Sequence, residues 1–383
     1  MRFVFYTHSV VSDWNHGNAH FLRGIMGELV ARGHTAVALE PEDGWSRQNL
    51  LAEAGPAALD AFAETFPELK SVTYGPDFDH EAAVADADVV VVHEWTEPAL
   101  VARLGRARRD GGRFTLIFHD THHRGVSGAD EIAGLKIDDY DAVLAFGEAL
   151  RELYLGRGWS RAVFTWHEAA DVRLFRPPEE PRPDSTGLVW IGNWGDGERT
   201  AELATYLLEP VRRLGLPATV HGVRYPPEAL AALGDAGIAY RGWVPNHRVP
   251  AVFAAHRMTV HVPRRPYVEA LPGIPTIRVF EALACGIPLV SAPWRDTEGL
   301  FREGDFLWAH SGDEMRDALG RLDADAELRA DLMVRGRETI RARHTCAHRV
   351  DELFAILAER GTARVQHGLS ETSPVSLPAE AAQ

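Results

Sequence analysis

Cysteine is nearly absent from this 383-residue chain, with only Cys285 and Cys346. Two cysteines cannot build a disulfide framework, and each sits in a helix-like stretch, so a reducing cytoplasm is the expected compartment. Lysine is as scarce. Lys70 and Lys136 are the only two among 40 basic residues, and both lie in the first half. An anion clamp in the second half must therefore use arginine or backbone amides. Several nucleotide and nucleophile motifs are missing too. No GxxxxGK[ST] occurs, and the segment THSVVSDWNHGN after the first apolar run holds no GxGxxG, which excludes a P-loop and argues against a dinucleotide-binding dehydrogenase. Gly125-Val126-Ser127-Gly128 does not fit the GxSxG nucleophile elbow. No window approaches the roughly 18 to 20 apolar residues of a membrane helix, and MRFVFYTHSVVSDWN does not read as a secretory signal. A net charge of −15 works against non-specific nucleic-acid binding.

What is present is ordinary globular composition, 45% hydrophobic and 25% charged, long enough for two domains at roughly 150 residues each. Up to about residue 170, strand-sized apolar runs alternate with helical patterns: FVFY, HTAVALE, DVVVVHEW, RFTLIFHD, DAVLAFGE and AVFTWHEA, with HFLRGIMGELVA and PALVARLGRARRD among the helices. Such alternation implies right-handed crossovers and a parallel sheet. FRPPEEPRPDSTG (175–187) has linker composition. The alternation then restarts with LVWIGNW, a helix over Glu198–Leu214, ATVHGV, AYRGWV, MTVHVPR and PLVSAP. The expected fold is α/β, with two Rossmann-like doubly wound domains facing across a cleft. An N-terminal domain covers 1–175 and a second domain 176–345. A closing helix covers 346–360, and a polar, disordered tail 361–383.

PGIPTIRVFEALACGIPLVSAP (272–293) is the most informative segment. Gly273 and Pro275 make a tight turn, Pro275 and Thr276 lead into a helix, and Gly286 ends it. Arg278, Glu281, Ala282 and Cys285 share one face at spacings of three and four, with Ile277 and Phe280 on the core side. Turn amides and a helix N-terminus attract a diphosphate, and a carboxylate one turn in can accept both ribose hydroxyls. An intrahelical Arg–Glu pair, worth about 0.3 kcal/mol, explains the same spacing. Elsewhere in the second half, Arg199 follows the strand end Gly192-Asn193-Trp194 and begins a helix, a good place for an anion clamp. Arg264 follows a strand at the edge where open α/β sheets bind ligands. Arg241 is a further candidate.

Eighteen histidines are many for this length, and several fall at strand ends: His8, His93-Glu94, the run His119-Asp120-Thr121-His122-His123, and His167-Glu168. Four strand ends delivering His or Glu to one rim point to a cleft, although a lone buried histidine is more often structural. His119, Asp120 and His123 could hold zinc only if their loop curled, and the spacing matches no zinc pattern. Asp138-Asp139-Tyr140-Asp141 reads as a solvated loop. Gly17-Asn18 stands at a loop-to-helix junction, where Asn18 also suits an N-cap.

RVFEALACGIPLVSAP resembles the donor-site signature of GT-B glycosyltransferases, in particular glycosyltransferase family 4 and its spore-protein CgeB-like branch. Pro275 through Val290 satisfy the pattern, and with the two-sheet layout the resemblance spans most of residues 1–360. It implies that Glu281 binds the nucleotide ribose and acts with His119 as a catalytic residue, His119 contacting the donor sugar. Gly192, Asn193, Trp194, Arg199, Arg264, Gly273, Pro275, Thr276 and Arg278 would complete the donor site. His8, Gly17, Asn18, Glu94, His122, His123 and Glu168 would line the acceptor side. The second glutamate usual in the family falls at Gly273, a departure that favours the CgeB-like branch.

The resemblance implies a metal-independent hexosyltransferase with no cofactor beyond a nucleotide-diphosphate sugar. It would act on an acceptor hydroxyl with retention of configuration, without nucleic-acid partners. A sugar-nucleotide epimerase or phosphorylase on the same fold would need stronger acid–base pairs, such as His93/Glu94 and His167/Glu168. A non-catalytic nucleotide-sugar-binding protein is supported by the missing glutamate at 273.

Overall fold

The computed structural model describes residues 1–179 and 185–361. Two parallel sheets carry the chain. The first contains β1 (Arg2–Tyr6), β2 (Thr35–Pro41), β3 (Lys70–Tyr74), β4 (Val89–His93), β5 (Thr115–Asp120), β6 (Ala142–Ala145) and β7 (Val163–Thr165). Its spatial order is β3-β2-β1-β4-β5-β6-β7. The second contains β8 (Leu188–Ile191), β9 (Ala218–His221), β10 (Ile238–Tyr240), β11 (Met258–His261), β12 (Leu289–Ser291) and β13 (Leu307–Trp308), ordered β10-β9-β8-β11-β12-β13. Every pairing is parallel. This is the expected doubly wound α/β fold, twice. Its central strands, such as the VVVVH of β4, are buried on both faces, which is why they read as unbroken apolar runs.

Strand order reverses between β1 and β4 and again between β8 and β11. At such a reversal neighbouring crossovers leave on opposite faces and open a crevice at the carboxyl ends of the strands. His8, His16 and Glu94 stand at the first reversal; Gly192, Asn193 and Arg264 stand at the second.

Two strands were not among the apolar runs. The KSVTY of β3 is an edge strand with exposed polar side chains, and β13 is only two residues long. The helix expected over Glu198–Leu214 is interrupted. A π turn over Ala204–Leu208 sits between Thr200–Leu203 and Glu209–Leu214. Pro210 lacks the N–H that a regular ladder requires, and a wide turn upstream accommodates the gap. Part of the Pro-rich connection, 180–184, and the tail from 362 onward lie outside the described residues. Among the described residues no helix is long and apolar enough to cross a membrane.

The closing helix, Cys346–Glu359, begins with a capping box between Thr345 and His348. It packs against Ala19–Ala31 of the first lobe, where Phe354 meets Phe3 edge-on at 6.0 Å. The chain therefore enters the second lobe after Phe175 and returns to the first. The two crossings touch: Ala170 and Thr345 form a parallel bridge, with the Ala170 amide donating to His344 O and the Cys346 amide to Ala170 O. Phe354 is fully buried, so Phe354→Ala is expected to cost about 3–5 kcal/mol in denaturant melting. A loss below 1 kcal/mol would mean that the returning helix is not part of the first lobe's core.

Candidate active site

A cavity of about 790 Å³ lies between the lobes, with both strand-order reversals on its walls. Of the residues singled out from sequence, His8, Gly17, Asn18, Glu94, His122, His123 and Glu168 line it from the first lobe. Gly192, Asn193, Arg199, Arg264, Thr276 and Arg278 line it from the second. His16, Trp45, Trp95, Glu198, His261 and Tyr267 also face it and were not singled out. His16 and Trp45 lie in loop-like stretches with no strand-end signal.

The second-lobe wall is built around Arg199. Its guanidinium lies over the Trp190 ring, 5.1 Å from the centroid. It donates to Val262 O at 3.1 Å and to Asn193 O and Oδ1 at 2.7 and 2.9 Å. Arg264 donates to the same Asn193 Oδ1 at 2.9 Å and pairs with Glu198. Burial, reinforced by the Arg264 charge, lowers the Arg199 pKa to about 9. Two guanidiniums held this close, with Nε of Arg199 buried and unpartnered by protein, favour an anion in the cavity. Gly222 permits its loop to approach the end of β8, since a Cβ there would stand 2.0 Å from Gly192 O. Arg241 does not line the cavity.

Burial disfavours charge on most titratable groups of the first-lobe wall; Asp13, paired with Arg23 at 2.9 Å, is the exception. His8 and His16 meet edge-on at 4.1 Å and the His8 and His93 rings lie 5.5 Å apart. Desolvation holds His8 and His16 well below the ordinary imidazole pKa, His93 at about 3 and His122 at about 2. The same cause acts in the opposite direction on acids, raising Glu94 to about 8, Glu168 to about 8 and Asp120 to about 7. Asn18 Nδ2 donates to Glu168 Oε1 at 2.9 Å rather than capping its helix. Thr121 donates to Glu94 Oε1 at 3.1 Å. Contacts between wall residues cross the cleft: Asn193 to Asn15 Oδ1 at 2.8 Å, His123 Nε2 to Glu198 at 3.4 Å, and Trp243 and the Asn246 amide to Asp13 at 3.2 and 3.0 Å.

Five expected site residues stand off the cavity wall: Glu281, His119, Trp194, Gly273 and Pro275. Glu281 is fully buried. Its Oε1 accepts from His20 Nδ1 at 2.8 Å and Asn246 Nδ2 at 3.3 Å, and its Oε2 pairs with Arg278. Burial pushes the Glu281 carboxyl up, but Arg278 and the His20 bond prevail and hold it below its ordinary value. The carboxylate expected to take ribose hydroxyls is thus closed on protein partners. Its helix is covered on nearly every side rather than presenting one face to the cleft, and Arg278 is the member that reaches the cavity.

His119 is a second correction. Along β5, side chains alternate between faces, and His119 turns toward Phe21 and Trp166, whose rings lie 6.0 and 5.0 Å away. Gly273, at φ +89°, makes a turn whose amide donates to Arg295 O at 2.7 Å, and its neighbour Ile274 presses against Gly147 of the first lobe. Trp194 packs against Tyr225. The three residues weighed for zinc diverge: His119 faces Trp166, Asp120 accepts from Tyr154 at 2.6 Å, and His123 meets Ser127 at 2.8 Å. Among the described residues no three His, Cys, Asp or Glu side chains converge as metal ligands.

Two predictions come from this geometry. Glu281→Ala leaves Arg278 and His20 without their shared carboxylate in the interior and should cost about 3–5 kcal/mol in denaturant melting; a cost near zero would show that the junction carries no stability. The second concerns pH. Glu168 in the folded chain holds its proton to about pH 8, whereas unfolded it releases it near pH 4.3. Between those values the folded state binds more protons, so this group's contribution to stability falls as pH rises. Glu168→Gln should therefore gain in melting temperature relative to the parent from pH 6 to 8.5, and a pH-independent difference would contradict the assignment.

Residues 199–355 match the family model described as "Glycosyl transferase-like". No curated protein matches in sequence. Among solved structures, sucrose-phosphate synthase from Thermosynechococcus elongatus is similar at a TM-score of 0.65 and 14% identity, over 95% of this chain and 100% of that one. Anabaena HepE in complex with UDP-glucose aligns at 0.68 and 13%, over 94% and 100%. An α-glucosyltransferase in complex with UDP and a 13-mer DNA aligns at 0.68 and 12%, over 94% and 99%. The chain therefore has the GT-B fold of glycosyltransferases, and its second lobe carries the sequence pattern of the glycosyl transferase-like family.

Proposed function

We propose that the protein transfers a hexose from a uridine-diphosphate sugar to an acceptor hydroxyl in the interlobe cavity. The observation that carries this reading is the group of three guanidiniums, Arg199, Arg264 and Arg278, on the second-lobe wall at the β8/β11 reversal. That wall suits a diphosphate, and similar structures contain UDP or UDP-glucose. The 275–290 motif further supports a place in the family 4 and CgeB-like group, with Glu281 acting through Arg278 instead of touching ribose.

When the donor's anomeric carbon–oxygen bond breaks, negative charge grows on the departing diphosphate. Fixed guanidiniums stabilise that charge without reorganising. Burial raises Glu94 and Glu168 to about 8, so at neutral pH both are mostly protonated. The departing phosphate oxygen is then the natural acceptor of the hydroxyl proton, which accords with retention of configuration and needs no metal or further cofactor. Closure of the cleft keeps water, the competing nucleophile, from the donor. An epimerase or phosphorylase would want both His–Glu pairs, but His167 bonds Glu298 at 2.9 Å instead of Glu168.

Titration with UDP should raise the melting temperature, as a ligand at 100 times its Kd adds about 2.7 kcal/mol. Arg264→Ala should weaken UDP binding by about tenfold or more in calorimetry. If no nucleoside diphosphate stabilises the protein, the reading fails; nucleotide release from a donor would exclude a merely binding role.

A further inference from the structure

The cations that line the cavity all come from one side. Arg199, Arg224, Arg264 and Arg278 belong to the second lobe, and no arginine or lysine stands among the described first-lobe residues on the wall. That side instead ends in two open indoles. Trp45 is 52% exposed and Trp95 42% exposed, the only large apolar side chains on the wall left this open among the described residues. Trp14 braces Trp45 edge-on at 5.0 Å with the Arg224 guanidinium over the Trp45 ring at 5.9 Å, and the Arg124 guanidinium covers one face of Trp95 at 4.0 Å. Two braced rings kept in solvent at a cavity mouth mark a surface meant to be covered.

Behind them stand buried polar atoms with no protein partner: His8 Nδ1, His16 Nε2, His122 Nδ1 and Asn18 Oδ1. Burial keeps these imidazoles neutral, so each offers one donor and one acceptor. Arg124 lies on Trp95 and donates to the Glu94 carbonyl, while its Nε has no partner in the protein.

We infer that the acceptor is a neutral carbohydrate that stacks its C–H face on Trp45 and Trp95 and turns its hydroxyl edge to the histidines. An anionic acceptor such as a nucleic acid would have to compete for guanidiniums that already lie on the two indoles, Arg124 on Trp95 and Arg224 on Trp45 and Asp196, on a chain of net charge −15. A flat aryl acceptor would cover the indoles but leave the imidazole and amide atoms unbonded. In the transfer, the acceptor hydroxyl oxygen bonds the anomeric carbon of the donor as the bond from that carbon to the diphosphate oxygen breaks. The hydroxyl proton goes to the departing diphosphate.

The inference rests on the proposed transfer, and the test separates the two. UDP release from UDP-glucose is followed with maltotriose, cellotriose or N,N′-diacetylchitobiose, and in parallel with a DNA 13-mer and with p-nitrophenol. At least one neutral saccharide should accelerate release more than tenfold. Trp45→Ala and Trp95→Ala should each raise its KM at least tenfold, with kcat changed far less, and Trp→Phe at each position should restore most of the loss. UDP affinity by calorimetry, within about twofold of the parent, reports that each variant is folded. Stimulation by DNA or p-nitrophenol alone, or a saccharide KM unmoved in both alanine variants, overturns the carbohydrate assignment and leaves the donor reading standing. No UDP binding and no UDP release under any condition overturns the proposed transfer and this inference with it.

Discussion

The arrangement of the two lobes depends on one buried carboxylate. Glu281 receives His20 from the first lobe and Asn246 and Arg278 from the second, in a space with no solvent exposure. The amide of Asp171 donates to His20 Nε2 at 2.8 Å, so the ring proton sits on Nδ1 and points at Glu281. Phe175 stacks on the same ring at 3.7 Å, tying the start of the interlobe connection into the junction. An ion at this depth is tolerated only when its hydrogen bonds are complete. Here completeness needs both lobes in register, and with them the guanidinium of Arg278 at the cavity edge.

The cavity divides its chemistry between its walls. Cations gather where the second sheet reverses its order, each held by carbonyl, amide or carboxylate groups. On the opposite wall burial disfavours charge on the histidines and on Glu94 and Glu168, while Asp13 is closed on Arg23. That separation follows from local packing. A charged imidazole cluster beside three guanidiniums would be repelled, whereas neutral rings can stand close and still offer hydrogen bonds.

Much of this was legible in the sequence, and what was missed has physical causes. Both sheets were visible because strands buried on both faces are written as apolar runs, whereas the polar edge of β3 and the two residues of β13 carry no such signature. Cavity residues at strand ends were found because a parallel sheet gathers its carboxyl ends on one rim. The two residues expected to be catalytic, His119 and Glu281, do not line the cavity, for reasons that spacing cannot reveal. His119 is the last but one residue of β5, and alternation turns it to the helix side. Glu281 has the right offset from Arg278, but its exposure depends on His20, 261 positions away in the chain. Trp45 and Trp95 stand in polar stretches, EDGWSRQ and HEWTEP, where nothing in the spacing marks an indole as part of a cavity wall.

The lobes are joined twice, once after Phe175 and once before Cys346, and the two crossings are bonded to each other through Ala170 and Thr345. A paired crossing makes the two connections one unit, entering and leaving the first lobe at a single place. Severing the first connection alone would not free the second lobe, because the other connection still holds it.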